Sequence, residues 1–535
     1  MVSRRTLYML VAQCVVQSPR HLGNPTPVAG AVSMSYKRRL SDINRDGPAS
    51  ITSQIVDAFA AAIAAGELGP DEKLPPTREL AEIAQVNHLT AARAYRRLAE
   101  LGLVTARVGQ GTFVRVGGRS GAGGGPEREN TDWQRYALPE QLETYGDRIL
   151  AEMFRQAGRE DVIPLMVGYP AEKLLPADAL AEVTEATLTE HGARVHQYTD
   201  IEGAPELREE IAALHRAEGS DDAPDQIVVT TGAHQAMTLA ARAILRPGDA
   251  AACESPTFPG SIEAIRNAGA SLLPVPVDDG GLDTDALGAL LRRRDIRLLS
   301  LQPRLHNPTG SDLAPERRAR LCELAQRYGF FVVEDGVYGP LRFEGEGLAP
   351  LRAMLPSHVI YVSSLSKTVS PGMRTGWVSA SGPVLERIVR EKRNDDMHSA
   401  TMTQLVAARF LAGGAYRAQI GRAVAFYRER RDALVAAVER QLAPAARMSR
   451  PLGGGHLWLT FRDPLDERDL YDEAVRQGVT FLPGGAMMAE RPRATHLRLS
   501  FGYLDPDELR EGVRRLAVAV RAVRPRPRRE ALPIT

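Results

Sequence analysis

The chain has little of three things that often assign a protein to a class: cysteine, lysine and long apolar runs. Its three cysteines, Cys14, Cys253 and Cys322, are widely spaced and form no Cys-x-x-Cys pair. This set excludes a disulfide framework and a cysteine-based zinc site, so we expect a cytoplasmic protein without a bound metal. No apolar run approaches the roughly 18 residues that a membrane-spanning helix needs, so no membrane partner is expected.

Charge is abundant but unevenly distributed along the 535 residues. The whole chain carries a net charge of +1, yet residues 1–120 carry +6 and the remainder carries −5. An excess of positive charge on the smaller part favours a polyanionic partner there. The first residues, Arg4 and Arg5 before an apolar stretch, loosely resemble a signal peptide, but no cleavage site follows. We therefore interpret residues 1–36 as a disordered tail or a mis-assigned start.

Helical periodicity predicts three helices and a hairpin after this tail. Apolar residues recur at helical spacing in Ser50–Ala65, which predicts a first helix. A second is predicted for Thr77–Ala84 and a third for Asn87–Leu101, with Leu89 turned toward the core. Val104–Val116 alternates apolar and polar residues around a glycine tip, as a two-stranded wing does.

These elements resemble the winged helix-turn-helix of GntR regulators, a mainly α domain that we place at residues 37–116. The matching segments are Leu74–Ala81 in the second helix, Arg93–Leu98 in the recognition helix and Gly109–Val114 in the wing. The resemblance implies a DNA operator as partner. It places on DNA the residues Arg78, His88, Thr90, Arg93, Arg96, Gly109 and Gly111.

A second domain is predicted after a glycine-rich linker at residues 117–138. From about Ile163 onward, apolar strands alternate with amphipathic helices, which is typical of an α/β lobe with a buried, mainly parallel sheet. Ligands bind such sheets beyond the carboxyl ends of the strands. After Ala400 the pattern predicts a smaller α+β lobe. We place this domain at residues 139–525 and a basic tail at 526–535.

One of the five lysines, Lys367, follows an apolar strand through the polar segment Ser363–Ser366. A lysine there can form an imine with an aldehyde if burial or neighbouring cations keep its amine neutral. The segment Ser364–Lys367, followed by Pro371–Arg374, resembles the Schiff-base segment of fold-type I, class I aminotransferases, a resemblance that extends over roughly residues 140–520. It implies pyridoxal 5'-phosphate, bound to Lys367 as an internal aldimine, with Ser364 and Arg374 on its phosphate.

The same resemblance assigns further cofactor contacts. Asp335 ends a strand and can pair with a protonated pyridine nitrogen, which preserves the ring as an electron sink. Tyr338 and Asn307 are directed at the ring 3-hydroxyl, and Phe258 either stacks on the ring or belongs to the core. The remaining predicted contacts are Gly232, Ala233 and His234 at a helix start, and Tyr198, which reaches the phosphate of the neighbouring subunit in a head-to-tail homodimer.

Arg498 lies on the late strand Leu497–Phe501, where it alternates with apolar neighbours. An arginine fork suits a carboxylate, and the family's α-carboxylate-binding arginine falls in this motif. We therefore expect an amino acid as the ligand, with a surface salt bridge as the alternative role of Arg498.

The combination of both domains resembles the MocR subfamily of GntR regulators. It implies a transcription regulator at the nucleoid in which an amino compound reacts at Lys367 and modulates operator binding. Two alternatives stay open. The protein could be a working aminotransferase with an accessory DNA-binding domain, or a sensor of pyridoxal phosphate itself, in which Arg498 would be idle. The sequence leaves enzymatic activity undecided.

Overall fold

A computed structural model describes residues 34–41, 43–45, 50–65, 67–69, 71–107, 111–115, 159, 161–490, 492 and 494–524. The chain divides into two compact units, Met1–Gln141 and Leu142–Thr535. Within the described ranges, no helix is long and apolar enough to cross a membrane. The predicted linker at 117–138, the tail at 526–535 and the wing residue Gly109 lie outside the described residues.

The first unit contains four helices and a hairpin. Two helices begin at side-chain caps: Ser50 Oγ accepts a hydrogen bond from the Ser53 amide, and Asn87 Oδ1 accepts one from the Thr90 amide. The hairpin strands are antiparallel. The arrangement is the predicted winged helix-turn-helix. Its elements are α1 (Met34–Ser41), α2 (Ile51–Ala64), α3 (Thr77–Ile83), α4 (His88–Glu100), β1 (Val104–Arg107) and β2 (Gly111–Val114).

Two details of this unit differ from the sequence-based expectation. Helix α1 begins at Met34, three residues before the predicted boundary at 37, and Tyr36 packs into the core with its ring 5.9 Å from that of Phe59. Leu89 is 68% exposed, so its predicted core position is wrong. Helix α4 buries Ala91, Ala94, Tyr95 and Leu98, whose spacing defines one face, and Leu89 lies off that face.

The strands of the second unit form one large sheet and two smaller ones. The large sheet has the order β4-β11-β10-β9-β8-β5-β6-β7. Strands β10, β9, β8, β5 and β6 are parallel neighbours, whereas β11 is antiparallel to both β10 and β4. The strands are β3 (Ile163–Pro164), β4 (Ile227–Thr230), β5 (Ala250–Ser255), β6 (Ser271–Asp278), β7 (Gly281–Leu282), β8 (Ile296–Leu301), β9 (Phe331–Asp335), β10 (Val359–Ser364), β11 (Gly376–Ser379), β12 (Ala446–Met448), β13 (His456–Phe461), β14 (Val479–Thr480), β15 (Leu482–Pro483) and β16 (His496–Ser500).

Helices cover both faces of the large sheet. Val333 and Ile360 belong to one core and Val332 and Val359 to another, because successive strand residues point to opposite faces. A sheet buried on both sides explains the continuous apolar runs of its strands. The helices of this unit are Ala177–His191, Pro205–Ala217, Ala233–Ile244, Pro259–Asn267, Thr284–Leu291, Pro315–Tyr328, Leu351–Met354, Pro383–Asp395, Thr401–Ala412, Ala415–Gln441, Glu467–Arg476 and Pro506–Ala522.

A smaller lobe follows the long helix Ala415–Gln441. Its antiparallel sheet has the order β12-β13-β16-β15 and is the predicted α+β lobe. Strand β3 pairs in parallel with β14, which joins the start of the second unit to this lobe. The segment that follows β3 therefore lies between the small lobe and the strand ends of the large sheet, where the candidate site is found.

Candidate functional site

The polar residues of the site lie where strands of the large sheet end. Strands β5, β8, β9 and β10 are parallel, so their carboxyl ends meet at one edge, and β4 runs in the same direction as β10. Thr230, Ser255, Asp335 and Ser364 are the last residues of β4, β5, β9 and β10. A doubly covered parallel sheet offers this edge as its ligand-binding crevice.

Lys367 lies just beyond β10 and its amine donates a hydrogen bond of 2.9 Å to the carbonyl oxygen of Gly168. Burial lowers the pKa of Lys367 to about 8, and the Arg498 and Arg374 cations act in the same direction, while Asp335 opposes them. A fraction of the amine is therefore neutral near pH 7, which is the form that attacks a carbonyl. This placement agrees with the role predicted for Lys367.

Asp335 ends β9 and is buried. Burial raises its pKa to about 7, although a 3.1 Å hydrogen bond from the Val337 amide and the Lys367 cation oppose the shift. The buried carboxyl of Glu254 raises the pKa of Asp335 further. Such a carboxyl gains most from a cationic partner, and a protonated pyridine nitrogen is one.

Arg498 is buried on β16 and points toward the same crevice. Its Nη2 donates to the carbonyl oxygen of Met166 at 2.9 Å, and its Nη1 lies 3.4 Å from Oδ1 of Asn307. Its Nε is buried without a hydrogen-bond partner among the described residues. Burial lowers the pKa of Arg498 to about 10, so the side chain stays charged at neutral pH. An acceptor for this fork is thus missing from the protein itself, and no salt bridge to Arg498 occurs among the described residues.

Tyr338 faces Arg498 electrostatically and donates or accepts a 2.9 Å hydrogen bond with Nε2 of His456. Burial raises the pKa of Tyr338, which stays a neutral phenol. Nδ1 of His456 lies 3.0 Å from Oγ of Ser500, directly across the β13–β16 pair. The imidazole is buried, and burial together with Arg498 and Lys367 lowers the pKa of His456 well below its usual value.

A second group of residues surrounds the start of the helix Ala233–Ile244. Gly232 has φ +86°, and a Cβ built on it would lie 2.6 Å from Nη2 of Arg374, which donates to the carbonyl oxygen of Thr231 at 3.0 Å. The helix start leaves backbone N–H groups free beside an exposed guanidinium, a combination that suits a phosphate. Ser364, predicted on the phosphate, is buried at the end of β10, where its Oγ accepts from the Ser366 amide at 3.1 Å.

The other predicted cofactor contacts are distributed around this edge. His234 is exposed and Ala233 half-buried in the first turn of their helix. Phe258 is half-buried and packs against the core of the large sheet, as its alternative role required. Tyr198 is 80% exposed and packs edge-on against His398, with ring centroids 5.0 Å apart. An exposed tyrosine is consistent with a role in a neighbouring subunit.

Sequence reasoning missed His456, Gly168 and Gln302. The Gln302 side chain accepts from the Asn307 amide at 2.6 Å and so holds the asparagine turn. Gly168 contributes its carbonyl, which no side-chain motif reveals. A signal existed for His456: three glycines, 453–455, precede it and allow close approach to the Tyr338 ring, 3.6 Å from a Cβ built on Gly455.

The donor set fits an aromatic aldehyde that carries a phosphate and an amino acid that binds to it. The amine of Lys367 suits the aldehyde, the carboxyl of Asp335 suits a pyridinium, and the Gly232 turn is open to a phosphate only because it lacks a Cβ. The orphaned Nε of Arg498 suits a carboxylate. No group of His, Cys, Asp and Glu side chains in the described ranges could hold a metal ion.

The residues predicted on DNA lie in the first unit. Arg78, His88, Arg93 and Arg96 are exposed. Thr90 is half-buried, and its Oγ1 donates to Asn87 Oδ1 at 2.9 Å, so its hydroxyl hydrogen serves the helix cap. Gly111 opens β2 beside Lys73. The exposed face of α4 is therefore basic, as a surface that binds a polyanion must be.

Comparisons with known proteins match both units. The aminotransferase class I and II family profile matches residues 160–516, and that of bacterial regulatory proteins of the gntR family matches residues 51–114.

Full-length and partial relatives are found. The chain is 28% identical to the probable rhizopine catabolism regulatory protein MocR of Rhizobium meliloti over 90% of this chain and 96% of that protein. It is 31% identical to aromatic-amino-acid aminotransferase 1 of Thermococcus litoralis over 74% of this chain and 96% of the relative. A crystal structure of LysN, an alpha-aminoadipate aminotransferase from Thermus thermophilus complexed with N-(5'-phosphopyridoxyl)-L-leucine, is 32% identical, covers 73% of this chain and 98% of its own, and has a TM-score of 0.66.

Proposed function

Because the chain belongs to the aminotransferase class I and II family and joins that domain to a gntR-family DNA-binding unit, as MocR-type regulators do, we propose that an amino compound reacting at Lys367 controls its binding to DNA. The observation that carries this proposal is the pairing of two features in one chain. One is a buried lysine amine among Asp335 and Arg498, and the other is an exposed basic recognition helix.

The cofactor is pyridoxal phosphate, which supplies, when bound, an aldehyde for imine formation and a pyridinium ring that accepts electrons. We assign Lys367 as the residue that binds the aldehyde, because its amine is partly neutral at pH 7. Asp335 holds the proton of the ring nitrogen, and Gly232 with Arg374 receives the phosphate. Asn307 and Tyr338 lie at the ring oxygen, and Ser364 supports the phosphate end.

The effector we propose is an amino compound with a carboxylate. Arg498 supports this because its buried fork has an unpartnered Nε and a neighbour, Asn307, that can also contact the ligand. A buried arginine that lacks an anion is costly, so a ligand carboxylate would stabilise the site. The identity of the rest of the ligand depends on residues that no motif identifies.

The coupling to DNA requires a dimer, and we propose a head-to-tail homodimer in which exposed Tyr198 serves the neighbouring subunit. Two DNA-binding units then read two half-sites, and a ligand that favours one spacing of the units changes operator affinity. Such coupling amounts typically to 1–3 kcal/mol, which is roughly 5- to 150-fold in affinity. We place this activity in the cytoplasm at the nucleoid.

The competing function is transamination. The observation in its favour is that the lysine, the aspartate and the carboxylate-binding arginine are all present, as in the relative named aromatic-amino-acid aminotransferase 1. Steady conversion of amino acids in the presence of a keto-acid acceptor would support the enzyme. Exchange of the amine at Lys367 without turnover would support the regulator.

The deciding experiment titrates the purified full-length chain, loaded with pyridoxal phosphate, on the DNA upstream of its own gene. We expect one or more compounds of an amino-acid panel to change the affinity at fixed salt. Deaminated analogues with the same carboxylate serve as controls and should have no effect. An affinity that is independent of every amino acid, and dependent on pyridoxal phosphate alone, would favour the cofactor sensor.

A further inference from the structure

A buried chain of hydrogen bonds leads from the small lobe to the phenol of the site. It runs from Ser500 Oγ through both ring nitrogens of His456 to the hydroxyl of Tyr338, over distances of 3.0 and 2.9 Å. All three residues are buried. Gly168 packs against the imidazole, since a Cβ built there would lie 2.9 Å from Cε1 of His456. The ring is therefore held in place from several sides.

The hydrogens of this chain have one consistent direction. Ser500 Oγ donates to the carbonyl oxygen of Met166 at 3.3 Å, an oxygen that also accepts from Arg498 Nη2 and has two lone pairs to do so. Because its own hydrogen is used, Ser500 must accept from Nδ1–H of His456. A neutral imidazole with its hydrogen on Nδ1 has a bare Nε2, which accepts the O–H of Tyr338.

The charges around His456 keep it neutral. Arg498 and Lys367 face it as cations, Tyr338 and Ser500 face it as neutral hydroxyls, and its pKa is lowered by burial first and by the two cations second. A second hydrogen on the imidazole would meet these cations and compete with the phenol. The tautomer derived from the hydrogen bonds is thus also the charge state that the surroundings favour.

We propose that His456 is a positioning residue that takes the phenolic hydrogen of Tyr338, so that the Tyr338 oxygen turns a lone pair, and not its hydrogen, toward the cofactor. This inference rests on the proposed function, which puts the ring oxygen of pyridoxal phosphate beside Tyr338. A phenol that donates to that oxygen would stabilise its negative charge and favour loss of the proton shared with the lysine nitrogen. With the hydrogen held by His456, the lysine-bound cofactor keeps its proton to higher pH, and the protonated form is the one that an incoming amine attacks most readily.

The test is a pH titration of the absorbance band of the full-length chain loaded with pyridoxal phosphate. In His456→Leu the Tyr338 hydroxyl is free to donate to the ring oxygen. We expect the midpoint to move to lower pH by about one unit, since a hydrogen bond to the charged form favours that form. Tyr338→Phe should move the midpoint little in the native background and restore it in the His456→Leu background. This non-additivity separates a directed hydrogen from a general packing defect.

Two further variants keep the test decisive. Ser500→Ala removes the acceptor of Nδ1–H, frees the imidazole to reverse its tautomer, and should move the midpoint in the same direction as His456→Leu. The matched control is His496→Leu, because His496 forms a similar 3.0 Å contact with the Thr460 hydroxyl at the other end of the same strand pair. Its loss should leave the midpoint unchanged.

The outcomes also separate this inference from the proposed function. A midpoint that stays in place in both His456→Leu and Ser500→Ala overturns the role of His456 while leaving the cofactor assignment intact. So does an equal effect of Tyr338→Phe in the native and His456→Leu backgrounds. If the native chain develops no absorbance band with pyridoxal phosphate, the cofactor assignment itself fails.

Discussion

Lys367 and Gly168, 199 residues apart in the sequence, are joined by a 2.9 Å hydrogen bond from the lysine amine to the glycine carbonyl oxygen. Gly168 belongs to the segment that also supplies the Met166 carbonyl to Arg498. One short stretch of backbone therefore orients both the amine expected to bind the cofactor and the guanidinium expected to bind the ligand. This relationship connects the predictions that follow.

The first prediction concerns Lys367 itself. Lys367→Ala should eliminate the visible absorbance of the protein after incubation with pyridoxal phosphate and dialysis, because no other amine at the strand ends can form the imine. Lys173→Ala, at an exposed lysine that pairs with Asp505, is the control and should keep the band. A retained band in Lys367→Ala would refute the central assignment.

The second prediction concerns pH. The pKa of Lys367 is lowered to about 8, by burial first and by Arg498 and Arg374 next, with Asp335 opposing. Because the neutral amine attacks the aldehyde, the rate of cofactor capture by the apo-protein should rise about tenfold per pH unit below about pH 8 and level off above it. Stopped-flow absorbance measures this rate. A rate still rising at pH 10, as for an exposed lysine, would contradict the lowered pKa.

The third prediction concerns the phosphate end. Gly232→Ala should weaken pyridoxal phosphate binding by on the order of tenfold, about 1.4 kcal/mol, because the new Cβ would displace Arg374. Gly248→Ala is a matched control: its φ of +93° imposes similar backbone strain, but a Cβ there meets nothing within 4 Å. Both variants should lose similar stability in thermal unfolding. An equal loss of cofactor affinity in both would remove Gly232 from the phosphate site.

The fourth prediction concerns Arg498. Arg498→Leu should reduce the affinity for the effector amino acid on the order of 100-fold, because truncating one partner of a buried charge pair costs about 2–5 kcal/mol. The decarboxylated amine of the same compound should bind the native and variant chains alike. Calorimetric or absorbance titration measures both ligands. If both lose affinity equally, Arg498 supports the structure of the site and does not bind the carboxylate.

The fifth prediction concerns DNA. Arg93→Ala and Arg96→Ala should each weaken binding to operator DNA, and removing an arginine that pairs with a phosphate should reduce the slope of log affinity against log salt by about one. Anisotropy titrations at several salt concentrations measure this slope. Arg320→Ala, at an exposed arginine of the second unit paired with Glu323, is the control. Unchanged affinity in both α4 variants would remove that helix from the interface.

The sequence predicted most of the fold because local signals agreed with the tertiary outcome. The helix Pro315–Tyr328 was predicted at its observed bounds, since proline begins it and Gly329 at φ +69° ends it. Leu89 was misplaced because an apolar residue at the start of a helix does not reveal which face packs. The boundary at 37 fell inside α1 because a helix of eight residues gives a weak periodic signal, and only the packing of Tyr36 identifies it.

The sequence by itself determined the two families, the buried parallel sheet and the residue types at the strand ends, because these depend on periodicity and on short motifs. Tertiary structure alone decided which side chains interact. His456 and Ser500 become a pair only through the β13–β16 register, and Gly168 meets Lys367 only through the chain path that follows β3. Hydrogen-bond direction and lowered pKa values arise from burial and from neighbours distant in sequence, so no local pattern encodes them.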